Sequence, residues 1–90
     1  MASKQLGIIA DDLSGAIECA AVCRRMGHQA VVLPRIPESN QPGQAHASVV
    51  VVVTDSRHLP AAAASHRLNA AARWLMRQGI HSFYKKTDSA

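Results

Sequence analysis

Short apolar runs alternate with longer amphipathic stretches along this 90-residue chain, and that alternation predicts its elements. Residues 6–10 read as a buried strand that stops at Asp11 and Asp12. A helix pattern begins near Ser14, with Ala16, Cys19, Ala20, Cys23 and Gly27 on one face and Glu18 and Arg25 on another. Gly27 suits the left-handed position that ends a helix. Residues 29–33 read as a second strand. Residues 34–47, PRIPESNQPGQAHA, hold three prolines and one glycine and predict an exposed loop, long for a connection in an α/β domain. Residues 48–54, SVVVVVT, form the strongest strand signal, since five valines without alternation imply burial on both faces of a parallel sheet. Pro60 suits the first turn of a second helix that runs to about Gln78, with Gly79 as terminator. Residues 81–85 read as a fourth strand.

The order strand-helix-strand-loop-strand-helix-strand predicts an α/β fold: an open parallel four-stranded sheet with two helices, an incomplete three-layer domain. Two helices are few for both faces of four strands, so some sheet surface or edge is expected to be bare. Composition sharpens this picture. The hydrophobic fraction is 48% while aromatics make up only 3%, so packing is expected to be thin and close, and large core anchors few. A chain of this size buries about 60–65% of the surface its unfolded form exposes, which predicts marginal stability unless something covers its apolar faces.

Ten Lys and Arg against six Asp and Glu give a net charge of +4. The positive residues are scattered, with no run longer than Arg24–Arg25 and Lys85–Lys86, and three aromatics provide no stacking platform, so no nucleic-acid partner is expected. A small anion suits the charge better. Cys19 and Cys23 sit on adjacent turns of one helix, a poor geometry for a disulfide, and read as small apolar packing residues. His28, His46, His58, His66 and His81 show no ligand spacing, and no metal site is expected. Trp74 is expected to pack on the sheet. No apolar run approaches a membrane span and no leader pattern opens the chain, which predicts a cytoplasmic protein with no membrane partner.

Ligands in open parallel sheets gather beyond the carboxyl ends of the strands. Three polar motifs fall at such ends: Asp11-Asp12-Leu13-Ser14-Gly15-Ala16, Thr54-Asp55-Ser56-Arg57, and Lys85-Lys86-Thr87-Asp88-Ser89. Asp11 and Asp12 can accept hydrogen bonds from hydroxyls or take a proton. The turn at Ser14 and Gly15 opens a helix whose free N–H groups attract an anion, and Gly15 lets a ligand approach the backbone. Arg57 offers a planar fork for a carboxylate, and Lys85 or Lys86 a point charge. Structural roles stand beside these: Asp12 or Ser14 as a helix cap, Asp55 as a turn cap, Arg57 as a solvated surface residue, and Lys86 with Asp88 as a surface pair.

Residues 8–16 (IIADDLSGA), 54–57 (TDSR) and 84–89 (YKKTDS) together resemble the N-terminal domain of the four-carbon acid sugar kinases, in that family's order and over nearly the whole chain. The resemblance implies an ATP-dependent kinase of acids such as threonate, erythronate and 3-oxo-tetronate, whose N-terminal domain holds the acid and whose C-terminal domain binds ATP. Residues 1–90 would be that acid-sugar-binding domain in part, with the C-terminal ATP-binding domain absent. It implies substrate contacts from Asp11, Asp12, Ser14, Gly15, Arg57, Lys85, Lys86, Thr87, Asp88 and Ser89, with Asp11 or Asp12 as the catalytic group. Ser14 replaces the family's usual threonine and keeps the hydroxyl, and Glu18 stands where aspartate is common. The family motif continues past the Asp-Ser pair into Leu-Arg-Gly, whereas this sequence ends at Ala90. ATP and Mg belong to the full-length family. None is expected for this chain alone, which shows no nucleotide signature and reads as inactive by itself: a truncated product, a split subunit or a mis-called frame. A missing C-terminal domain or self-association would cover the bare sheet.

Two other classes remain open. A receiver-like phosphoacceptor domain would use Asp12 and Asp55 around Mg, although the proline-rich loop replaces a helix that such a domain needs. A non-catalytic binding or assembly fragment is the other.

Overall fold

The computed structural model describes residues 5–38 and 46–86. Within them lie strands β1 (Leu6–Ala10), β2 (Ala30–Leu33), β3 (Val49–Val53) and β4 (Ser82–Lys86), and helices α1 (Leu13–Arg25) and α2 (Ala61–Arg77). The strands are parallel and lie side by side in the order β2-β3-β1-β4. Leu6 faces both Val49 and Ser82 across the ladders, and Ala10 faces Val53 and Lys86.

The valine run explains the layering. Successive strand residues point to opposite faces, so Val49, Val51 and Val53 join Ile8, Ala10, Ala16 and Ala20 beneath α1. Val50 and Val52 join Ile9, Ala71, Trp74, Leu75 and Ile80 beneath α2. Every residue of β3 is buried, as expected for a strand with neighbours on both edges and a helix on each face. Trp74 packs on the sheet. The small residues Ala16 and Ala20 bring α1 close to it, and Cys19 and Cys23 flank them as half-buried free thiols. Burial pushes the Cys19 thiol pKa up, with Lys86 opposing that shift.

The connections run in opposite senses. From β1 to β2 the chain passes β3, and from β3 to β4 it passes back over β1. Right-handed crossovers in opposite directions require helices on opposite faces, and that is the observed division. The order also sets aside the receiver alternative, because receiver domains carry β1 between β2 and β3. Here β1 lies between β3 and β4.

Element ends follow the sequence signals closely. Gly27 and Gly79 take left-handed φ values of 93° and 85° just past their helices. Arg24 in the last turn of α1 donates from Nε (3.2 Å) and Nη2 (2.7 Å) to the Ala30 carbonyl, tying that turn to the start of β2. Pro60 departs from expectation by one position. It lies ahead of the first turn of α2, with ψ of 153°, and helical geometry starts at Ala61. Residues 34–38 and 46–48 contain neither helix nor strand; the centre of the proline-rich loop lies outside the described residues. On β4 the side chains are mostly exposed, with Phe83 and Tyr84 open on its two faces, so the bare sheet surface predicted from two helices is present.

Candidate functional site

Strand β1 hands the chain to α1 on one face while its neighbour β3 hands it to α2 on the other. The two departing segments separate and leave a crevice beyond the carboxyl ends of β1 and β3. Backbone hydrogen bonds fasten its walls. Thr54 N donates to Ala10 O (2.9 Å), Ser56 N to Asp11 O (3.0 Å), and Asp11 N to Lys86 O (3.3 Å). The rims of β1, β3 and β4 are thereby one connected scaffold, and the charged residues on them have fixed origins.

Asp12 occupies the first position of this rim on the α1 side. Its extended backbone makes it the N-cap of α1, and Oδ1 accepts a 2.7 Å hydrogen bond from Gly15 N. Oδ2 accepts from Arg57 Nη1 at 2.9 Å, an ion pair across 45 residues of sequence. The Gly15 amide, more than any other group, holds the Asp12 carboxyl below the usual carboxylate range. Partial burial opposes that shift, and Arg57 and then Lys86 reinforce it. A Cβ at Gly15 would lie 3.1 Å from Asp12 Oδ1, close enough to press on the capping carboxylate, and at an ordinary contact distance of 3.6 Å from Lys86 Cγ.

Two adjoining clefts open from this centre. The smaller, about 160 Å³, is lined by Asp11, Asp12, Ser14, Gly15, Glu18, Arg57 and Lys86. The larger, about 310 Å³, lies on the α2 side, where Asp11, Ser56, Arg57, Lys85 and Lys86 provide the polar wall and Ile9, Leu59 and Leu68 part of the apolar one. Asp11, Arg57 and Lys86 border both. Register explains how the lysines divide. Lys85 pairs with Ile9 and projects to the α2 side, while Lys86 pairs with Ala10 at the end of β4.

All seven predicted site residues that are described, Asp11, Asp12, Ser14, Gly15, Arg57, Lys85 and Lys86, therefore border these two clefts. Thr87, Asp88 and Ser89 lie outside the described residues. The capping role expected of Asp12 or Ser14 falls to Asp12. Sequence reasoning gave no role to Ser56, which is 8% exposed and forms part of the larger cleft's wall. No local pattern marks it, because residues 54–56 lie beyond β3 and the φ of 52° at Asp55 breaks the strand alternation. Arg67 was missed as well. It donates from Nη1 to the carbonyls of Thr54 and Asp55, both at 3.0 Å, and steadies the turn in which Asp55 adopts φ of 52°. Among the described residues, no three His, Cys, Asp or Glu side chains converge as they would around a metal ion.

A parallel α/β sheet with a charged crevice at its topological switch point, sized for a small polar molecule, defines a ligand-binding α/β domain. The chain belongs to the family of sugar-binding N-terminal domains, whose family model matches residues 6–90. It is 36% identical over 81 residues to a 3-oxo-tetronate kinase of Burkholderia multivorans, covering 90% of this chain and 18% of that protein. It is 34% identical over 82 residues to the enzyme of the same name from Salmonella typhimurium, covering 91% of this chain and 19% of that protein. A crystal structure from Salmonella typhimurium LT2, called a "putative tRNA synthase", superposes with a TM-score of 0.82 at 32% identity, over 92% of this chain and 20% of that one. The chain thus spans about a fifth of the length of the relatives it matches. None of the helices in the described residues is long and apolar enough to cross a membrane.

Proposed function

We infer that this domain binds a four-carbon sugar acid such as threonate, erythronate or 3-oxo-tetronate, and presents one of its hydroxyls for phosphorylation by ATP. The observation that carries this reading is the convergence of Asp11, Arg57 and Lys86, from three separate strand ends, on the border shared by two small clefts. A sugar acid needs cationic donors for its carboxylate and acceptors for its hydroxyls, and this border supplies both. The family match and the kinase relatives support the substrate class. The clefts suit a small molecule, and their size gives no support to a tRNA ligand.

The two aspartates have different parts in this scheme. Asp12 is committed to Gly15 and Arg57, and its lowered pKa makes it a weak base. It acts as a positioning residue that aims the guanidinium. Asp11 borders both clefts and is the residue placed to accept a hydrogen bond, or a proton, from the reacting hydroxyl. Lys86 and Lys85 meet the carboxylate as point charges, with Arg57 beside them. ATP and Mg would supply the phosphoryl group and neutralise its charge. Among the described residues no three His, Cys, Asp or Glu side chains cluster, and holding both would fall to protein outside them. The chain alone is expected to bind the acid without consuming ATP.

Calorimetric titration of the chain with sodium threonate and sodium erythronate at low ionic strength checks this. Saturable binding is expected, and Lys86→Ala or Arg57→Ala should weaken it by about tenfold, the usual cost of losing a charge-assisted hydrogen bond. Absence of saturable binding to either acid, or unchanged affinity in both variants, would overturn the reading. Steady ADP release from ATP and threonate by the 90-residue chain would overturn the claim that it is inactive alone.

A further inference from the structure

Two neighbouring hydroxyl residues, Thr54 and Ser56, line the larger cleft and constrain each other's hydrogen bonding. Thr54 and Ser56 are 5% and 8% exposed, and their side-chain oxygens lie 2.7 Å apart. Thr54 Oγ1 also lies 3.2 Å from Ala10 O, and a carbonyl oxygen can only accept. The one arrangement that satisfies both contacts directs the single Thr54 hydroxyl proton at Ala10 O. Were it turned toward Ser56, the lone pairs of Thr54 would face those of the carbonyl. With that proton committed, the short Thr54–Ser56 contact requires Ser56 Oγ to donate. Ser56 then has no hydrogen left for a ligand and shows the cleft only lone pairs.

The backbone holds this arrangement rigidly. Ser56 N donates to Asp11 O (3.0 Å) and Ser56 O accepts from Leu59 N (3.1 Å), so the residue is pinned on both sides. The same cleft is bordered by Arg57, Lys85 and Lys86, which are donors only. An oxygen restricted to accepting thus stands in a cleft whose cationic groups restrict themselves to donating.

We propose that Ser56 is a specificity-determining residue, accepting a hydrogen bond from one hydroxyl of the bound sugar acid and so distinguishing it from acids lacking that hydroxyl. The proposal rests on the sugar-acid reading above and adds to it the residue that reads the neutral part of the ligand. A carboxylate at this point would meet lone pairs and be repelled, so Ser56 also orients the acid group toward Arg57 and the lysines. A ligand without the matching hydroxyl leaves Ser56 Oγ with no donor in a mostly buried place, which is the situation in which hydroxyl selection is strongest.

The test is calorimetric titration of the wild-type chain, Ser56→Ala and Ser56→Cys with threonate, erythronate and the three monodeoxy acids 2,3-, 2,4- and 3,4-dihydroxybutanoate. Far-UV circular dichroism checks that the variants are folded, and the thiol variant keeps side-chain volume while weakening the acceptor. Both variants should bind the better trihydroxy acid about 3- to 10-fold more weakly than wild type, as for loss of one neutral hydrogen bond. For one of the monodeoxy acids the gap between wild type and variants should vanish, because the partner hydroxyl is already gone. Wild-type binding with unchanged affinity in both variants would overturn the role of Ser56 while leaving the sugar-acid reading standing. So would a penalty of equal size against all three monodeoxy acids, which would mark a purely structural effect. Failure of the wild-type chain to bind any of the acids would instead overturn the sugar-acid reading itself, and Ser56 with it.

Discussion

Asp12 shows how one side chain can join local and long-range structure. It is one of the two helix caps that the sequence offers, beside Ser14, while its bond to Arg57 exists only because β1 and β3 are neighbours. The folded carboxyl titrates below its ordinary value, so its contribution to stability is fully present above about pH 4 and is lost as pH falls through the lower folded value. Asp12→Asn keeps a capping oxygen and removes the charge. The variant should melt below wild type at neutral pH, and the two should converge as pH falls from 4 to about 2, measured by thermal circular dichroism across that range. Parallel pH profiles would show that the charge contributes nothing. Asp12→Ala, which removes the cap as well, should remain less stable than Asp12→Asn even in acid.

Packing between elements depends on one glycine that no local pattern explains. Gly7 is the second residue of the five-residue β1, and glycine within a strand ordinarily weakens it. A Cβ at this position would approach Leu75 Cδ1 to 2.9 Å, Phe83 Cδ1 to 3.1 Å and Ile80 Cγ2 to 3.3 Å. Leu75 is fully buried and Ile80 almost so, which leaves neither much room to withdraw. The missing side chain is what allows the end of α2 and the start of β4 to close on the sheet. Gly7→Ala should cost about 1–3 kcal/mol by overpacking, and Leu75→Ala about 2–5 kcal/mol by opening a cavity. In the double variant the added methyl enters the space vacated by leucine, so the combined loss should be smaller than the sum of the two. Urea denaturation of the four proteins measures this, and strict additivity would show that Gly7 and Leu75 are not in contact.

Across the whole molecule, the layers are complete around β3 and thin toward β4. Tyr84 is 55% exposed and Val22 of α1 46%, and both line a shallow, mainly apolar hollow with Ile8, Cys19 and Cys23, bordered by Glu18 and Lys86. Phe83, 40% exposed, is open on the opposite face. A chain that buries so limited a share of its surface can ill spare such area. Tyr84→Lys should reduce the fluorescence of a hydrophobic dye such as anilinonaphthalene sulfonate on the folded chain, while changing stability by less than about 0.5 kcal/mol, as for an exposed position. Undiminished dye binding would place the accessible apolar surface elsewhere.

Much of this architecture was legible in the sequence because it depends on local periodicity. An unbroken valine run has to be buried on both faces, glycines at 27 and 79 have to end helices, and polar clusters after strands have to sit at one end of a parallel sheet. These needed no knowledge of which strand adjoins which. Strand order was not written locally, since any parallel arrangement would satisfy the same patterns. Once folding set β1 between β3 and β4, it decided the rest: Arg57 on Asp12, Lys86 at both clefts, and the Thr54 hydroxyl between Ala10 O and Ser56 Oγ. Hydrogen bonds between residues 44 or 45 positions apart depend on the distance between strands in space, and no spacing along the chain encodes that.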